Sequence, residues 1–111
     1  MTIIPDKLYE GQPGSTATLL YTSPANTRVT IIKATACNDT TTAKYLTVYL
    51  VPSGGTAGAA NLIYNQKVIG SRETKDLSDL VPQVLDPGDM IYALAEAADQ
   101  ITVHISGMAK T

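Results

Sequence analysis

Apolar and polar residues alternate with a period of two along most of this chain, and helical spacing is nearly absent. Successive strand residues point to opposite sides of a sheet, so the alternation predicts strands with two distinct faces. The segment "QITVHISGM" is the cleanest case, with Ile101, Val103 and Ile105 on one side and Thr102, His104 and Ser106 on the other. "KYLTVYLV" sets Leu46, Val48 and Leu50 against Tyr45, Thr47, Tyr49 and Val51. In "RVTIIKATAC", Val29, Ile31, Thr35 and Cys37 share one face and Arg28, Thr30, Ile32, Ala34 and Ala36 the other, so this strand is expected to be apolar on both sides over part of its length.

Turn signals separate these runs. "DPGD", Asp86 to Asp89, suits a type II turn, because Pro87 fixes φ at the first central position and Gly88 accepts a positive φ at the second. "TSPANT", "CNDTTTA" and "IGSRETKD" supply further breaks. Between them lie eight candidate strands, near 7–11, 16–22, 28–37, 44–51, 62–69, 77–83, 90–95 and 100–108. The 77–83 segment is ambiguous: Leu77, Leu80, Val81 and Val84 also satisfy a helical spacing, and Pro82 limits any helix to about one turn, so it is expected as a strand or as a loop with one turn.

Eight short strands in 111 residues predict an all-β fold, a single-domain antiparallel β-sandwich. Jelly-roll and immunoglobulin-like arrangements are the two natural topologies. The Cys, Trp, Cys spacing of immunoglobulin domains is missing, which favours a jelly roll of about eight strands.

Charge and composition narrow the function classes. Eight basic residues scattered among ten acidic ones give a net charge of -2, which argues against nucleic acid as a partner, since phosphate binding needs clustered Lys and Arg. "MTIIPDKLYEG" meets a proline and charges too early for a signal sequence, and no apolar run approaches the roughly 20 residues of a membrane span. Cys37 is the single cysteine, which excludes an intramolecular disulfide, and it reads as a small buried hydrophobe at the end of an apolar run. Folding in a reducing cytoplasm is the expected history.

The candidate chemistry is sparse. His104 is the only histidine, on the outward face of its strand, with no "GxSxG" elbow in the chain and no carboxylate within three residues. One histidine cannot meet the ligand needs of a cupin-type metal centre, and the pairs Asp76/Asp79 and Asp86/Asp89 lack the ligand density of a calcium loop. "SGGTAG" has no following lysine and opens no helix, so it is not a phosphate-binding loop. "NDT", Asn38 to Thr40, fits a glycosylation sequon, a pattern common by chance. No catalytic, cofactor-binding or metal-binding residue, no cofactor and no small-molecule substrate is therefore expected, and a binding or structural module is favoured over an enzyme.

The ordered segments "LLYTSPANTRVTIIKATACNDT", "YLTVYLVPSGGTAGAANLIYN" and "LVPQVLDPGDMIYALAEAADQITVHISGM" carry a resemblance. Together they resemble the small decoration proteins, also called staple or cement proteins, that tailed bacteriophages place on their capsids. The resemblance spans Leu19 to Gly107 and implies one jelly-roll decoration domain over residues 1–111. It further implies binding to the major capsid protein at the outer capsid surface of the virion, often as a homodimer at local two-fold axes, after synthesis in the host cytoplasm. It brings no catalytic residues.

Candidate interface residues follow from the sequence. "MTIIP" (Met1, Thr2, Ile3, Ile4 and Pro5) is apolar and held extended by Pro5, so residues 1–6 are expected either as an arm laid on a neighbour or as a frayed end. Tyr45 and Tyr49 share a strand face that either meets a partner or caps the sandwich core. Gly54, Gly55 and Thr56 form the tip of a long loop after Val51, where Pro52 stops the strand. A receptor- or carbohydrate-binding module of a tail fibre is the competing reading, since jelly rolls also serve as lectins.

Overall fold

The computed structural model describes residues 3–97 and 100–110. They form nine strands in two antiparallel sheets: β1 (Ile3–Gly11), β2 (Thr18–Thr22), β3 (Arg28–Asn38), β4 (Lys44–Val51), β5 (Leu62–Ile69), β6 (Thr74–Asp76), β7 (Val84–Leu85), β8 (Met90–Ala95) and β9 (Ile101–Lys110). The larger sheet runs β1-β9-β3-β6, with β7 also paired to β3, and the smaller runs β2-β8-β4-β5.

The pairing is nested. β4 pairs with β5, β3 with β6 and β7, β2 with β8, and β1 with β9. The chain is thus one long antiparallel ribbon, folded back at the β4–β5 connection and wound so that successive ribbon segments fall alternately into the two sheets. With β6 and β7 counted as one interrupted strand, this is the eight-position order of a jelly roll.

Between the sheets lies one apolar core. Val29, Ile31, Leu46, Val48, Ile69, Leu77, Leu80, Leu85, Ile91, Ile101, Val103 and Ile105 are each at most 1% exposed. β9 has the faces its alternation predicts, with Ile101, Val103 and Ile105 buried and His104 exposed.

Three local features settle or depart from the sequence reading. Segment 77–83 is not a strand. Ser78–Leu80 is a single 3-10 turn, and Leu77 and Leu80 plug the core from it. Pro82 supplies no ladder donor, and the three-residue spacing of the two leucines suits a turn, which is the second of the two forms expected.

β3 changes phase. Its register on β9 slips between Ile31 and Lys33, so Ile32 is a bulge residue, 47% exposed. Beyond it Ala34, Ala36 and Asn38 turn inward, the reverse of the straight alternation, because one extra residue flips every later side chain. Cys37 therefore lies half-exposed on the outer face, in register with Thr102 and Thr74, and is not a buried hydrophobe.

β1 slips at the same level of β9, between Lys7 and Tyr9. The β3 slip falls between Gly107 and Ser106 of β9 and the β1 slip between Ser106 and Ile105, and at Gly107 a Cβ would lie 2.7 Å from the Thr30 carbonyl oxygen and 3.0 Å from Leu8 Cδ1. Only glycine lets the three strands approach this closely.

Candidate functional site

The two sheets present opposite outer faces. Across the larger sheet, Glu10, His104, Thr35 and Asp76 form one register row, and Lys7, Ser106 and Lys33 form the next. Lys7 donates to Glu10 at 2.8 Å and Lys33 to Asp76 at 3.2 Å, so this face is a mosaic of exposed ion pairs. Glu10 is held below the usual carboxylate range, first by its hydrogen bond to Lys7, then by that residue's charge and by His104.

This row contains the histidine and two carboxylates, each paired with a lysine, Glu10 with Lys7 and Asp76 with Lys33. Glu10 is occupied by Lys7, and nothing excludes water from exposed His104. Among the described residues no three His, Cys, Asp or Glu side chains group as metal ligands.

Of the acidic residues flagged in the sequence, Asp76 pairs with Lys33, and Asp86 and Asp89 are committed within the "DPGD" turn and its neighbours. Asp86 accepts from Arg28 Nε at 2.9 Å. Asp89 takes the backbone N–H of Ser53 at 3.0 Å on one carboxylate oxygen and that of Asp86 at 2.9 Å on the other. Gly88, at φ +87°, and the Asp89 N–H to Asp86 carbonyl bond of 2.9 Å give the expected type II turn.

On the smaller sheet the outer face is largely uncharged, with Glu96 at one end, where its N–H donates to the Tyr45 carbonyl at 3.0 Å and its carboxylate lies 3.7 Å from Lys44 Nζ. One row crosses all four strands as Leu19, Tyr92, Tyr49 and Leu62. Neighbouring rows hold Leu94 with Thr47, Tyr45 with Val68, and Thr22 with Met90 and Val51. Leu19 is 49% and Val68 59% exposed, while Tyr45, Tyr49, Leu62, Met90, Tyr92 and Leu94 are half-buried.

The six tyrosines divide accordingly. Tyr64 belongs to the core, and Tyr9 and Tyr21 pack against it. Burial pushes all three phenols above their usual range. Tyr64 also ties β5 to the Ser78–Leu80 turn, because its hydroxyl accepts the Asp79 N–H at 2.8 Å. Tyr45, Tyr49 and Tyr92 line the outer face.

The loop after β4 folds back toward that face. Gly55 N–H donates to the Pro52 carbonyl at 2.9 Å, with Gly54 at φ +79°, and Asn61 Nδ2 donates to the Thr56 carbonyl at 2.7 Å. A Cβ on Gly55 would lie 3.4 Å from Val51 Cγ1, and Val51 is 1% exposed although it stands outside the core cluster. The loop covers the Val51 end of the face and is pinned to the "DPGD" turn through Ser53.

The structure thus brings Tyr45 and Tyr49 onto one face and sets Gly54, Gly55 and Thr56 at its end, with Gly54 and Thr56 exposed. Ile3, Ile4 and Pro5 stand elsewhere, as exposed residues of β1 paired with β9 at the edge of the larger sheet. Met1 and Thr2 lie outside the described residues. Leu19, Leu62 and Tyr92 were not singled out from the sequence. "MIYALA" carried a signal for one of them: Tyr92, with Met90 and Leu94, is larger than the Ala93 and Ala95 that alternate with it.

No family description matches this chain. No curated protein matches it either. Among solved structures it is similar to a protein of the Bacillus endospore appendages, a family of disulfide-linked pili, with 18% identity, a TM-score of 0.58 and coverage of 99% of this chain and 88% of that one. This likeness bears on the fold alone, an all-β sandwich. A second similar structure, from infectious bursal disease virus Gx strain, has 16% identity and a TM-score of 0.43, covers 97% of this chain and 30% of that one, and carries no argument.

Proposed function

We propose that the protein is a non-enzymatic structural component of a phage virion, a single decoration domain that binds the outer capsid surface and cements neighbouring major capsid protein subunits. The observation that carries this reading is the largely uncharged outer face of the smaller sheet, where three tyrosines and several aliphatic side chains stand half-exposed on a domain whose opposite face is densely charged. Apolar patches of this kind mark surfaces that another protein covers. The ordered motifs from Leu19 to Gly107 support the same reading through their similarity to phage decoration proteins, that of the Salmonella phage epsilon15 among them.

Packaged DNA presses a shell outward, and a module that bridges neighbouring subunits adds contacts that must break before the lattice opens. Each contact can be weak. When two sites belong to one rigid dimer, the second engagement is intramolecular at an effective concentration on the millimolar scale.

The test is addition of the purified protein to capsids stripped of it. Binding should saturate at a fixed ratio to the major capsid protein and raise the temperature at which DNA-filled heads rupture. Heads equally fragile with and without it overturn the reading, and binding to cell-surface polysaccharide in place of capsids favours a tail-fibre module.

A further inference from the structure

The charged rows of the larger sheet's outer face are interrupted by one that carries no charge. Pro5, Met108, Thr30 and Val84 follow one another across β1, β9, β3 and β7. Ile3 joins this stripe from the next row, and Ile32 joins it from the β3 bulge. Ile3, Ile32 and Val84 are 58%, 47% and 50% exposed, comparable with Leu19 and Val68 on the smaller sheet.

The register rows that border the stripe carry only cations. Lys7 and Lys33 stand on one side of it, and Lys110 and Arg28 on the other. The acids that pair with them lie farther out: Glu10 and Asp76 in the row beyond Lys7 and Lys33, and Asp86 in the turn after β7. Asp6, between Pro5 and Lys7 on β1, is in register with Gly107 and belongs to the other face of the sheet. The three ion pairs are exposed and contribute little, so their cations remain open to another carboxylate.

From this arrangement we infer that the stripe takes a short extended peptide segment of a partner protein, aliphatic at its centre and acidic at both ends. The inference rests on the reading of the protein as a cement, in which that partner is the major capsid protein. A module that holds neighbouring subunits together must touch two bodies, and the stripe lies on the opposite sheet from the tyrosine face. Aliphatic side chains of the segment cover Ile3, Ile32, Met108 and Val84, while its acidic ends meet the two basic rows. Ser106 to Lys110, the distance from one basic row to the other, is about 14 Å at the rise of a strand, so an extended segment of about five residues spans it.

Area sets the strength of the contact. Four strands at about 4.8 Å spacing and three rows at about 7 Å give a footprint on the order of 300 Å², well under the about 800 Å² per partner of a standard stable interface. The contact is therefore weak alone and gains its strength on a shell, where a first contact makes the second intramolecular.

The probes are two synthetic peptides with the same valine-leucine centre, flanked by glutamates in one and by lysines in the other, titrated into the isotope-labelled protein and followed by NMR. The glutamate peptide should shift the amides of Ile32, Val84 and Met108 with a dissociation constant on the order of 100–1000 μM, and the lysine peptide should bind at least ~10-fold more weakly. Raised salt should weaken the first complex. Val84→Glu should weaken it at least ~10-fold, as should Ile32→Glu at the bulge, which keeps the test decisive if one variant folds poorly. Asn65→Glu, on the edge strand of the smaller sheet, adds the same charge and should leave it unchanged. Equal binding of the two peptides, no binding of either near ~5 mM, or a complex indifferent to both stripe substitutions overturns the inference. Shifts at the same amides that grow with protein concentration in the absence of peptide assign the stripe to a second copy and also overturn it. On stripped capsids, Val84→Glu should lose the gain in rupture temperature; a variant that cements as well as the parent overturns the inference and leaves the cementing role intact. Selective binding of the glutamate peptide by a protein that binds no capsid leaves the inference standing and sinks the cementing role, so the two failures are distinct.

Discussion

Asn38 is fully buried, and it spends its whole amide on the connection between the sheets. Its Nδ2 donates to the carbonyls of Thr42 at 2.8 Å and Ile69 at 3.0 Å, and its Oδ1 accepts from the Thr40 N–H at 2.9 Å and the Thr40 hydroxyl at 2.7 Å. The side chain thereby replaces the ladder partners that the backbone loses as the chain leaves β3 and crosses to β4. No glycan can attach to this nitrogen in the folded state, so the "NDT" sequon is a crossover device. Asn38→Ala strips four hydrogen bonds and takes the side-chain partner from the carbonyl of buried Ile69. It is expected to lower stability by about 2–4 kcal/mol, read from the urea midpoint at constant m-value, and a change below ~1 kcal/mol would contradict the account.

At the scale of elements, the sequence made most strands legible and hid what happens between them. β9 and the inner face of β4 follow period two because the extra residue at each of their register slips lies in the partner strand, β1, β3 or β5, and leaves their own alternation unbroken. Straight alternation failed at β3, because Ile32 looks like any other strand isoleucine and nothing local announces that it is an extra residue. The largely uncharged face was half legible: Tyr45 and Tyr49 showed in the alternation, but Leu19, Tyr92 and Leu62 join them only through pairing across four strands. Gly107 records the same tertiary fact as the β3 bulge. A Cβ there would press on the backbone oxygen of Thr30, which cannot yield as a flexible side chain does. Gly107→Ala should therefore cost about 1–3 kcal/mol by overpacking. Gly58→Ala, at an extended backbone position with no heavy atom within 4 Å of the new Cβ, should stay within about 0.5 kcal/mol of the parent. Paired thermal melts decide it, and equal Tm values for the two variants would show that the three strands can part without penalty.

For the whole molecule, the nested ribbon dictates an order of assembly. The β4–β5 hairpin closes only the connection from Pro52 to Asn61, whereas β1 and β9 join Ile3 to Lys110 across the entire chain. The entropic cost of closing a loop rises with its length, so pairs formed from the hairpin outward each close a short increment, while β1–β9 formed first would close the full loop at once. The long, bare loop after Val51 thus stands at the turn of the ribbon, and its docking on Asp89 ties that turn to the start of β8. Folding should take milliseconds to seconds, as for other sandwiches dominated by non-local pairs, with the β4–β5 region structured in the transition state. Val48→Ala, in the hairpin, should slow folding, and Ile105→Val, in β9, should mainly speed unfolding. Chevron plots of the two variants carry the test. A folding limb slowed by Ile105→Val and untouched by Val48→Ala would mean that the ribbon closes from its ends, and that the hairpin is a consequence of the fold and not its origin.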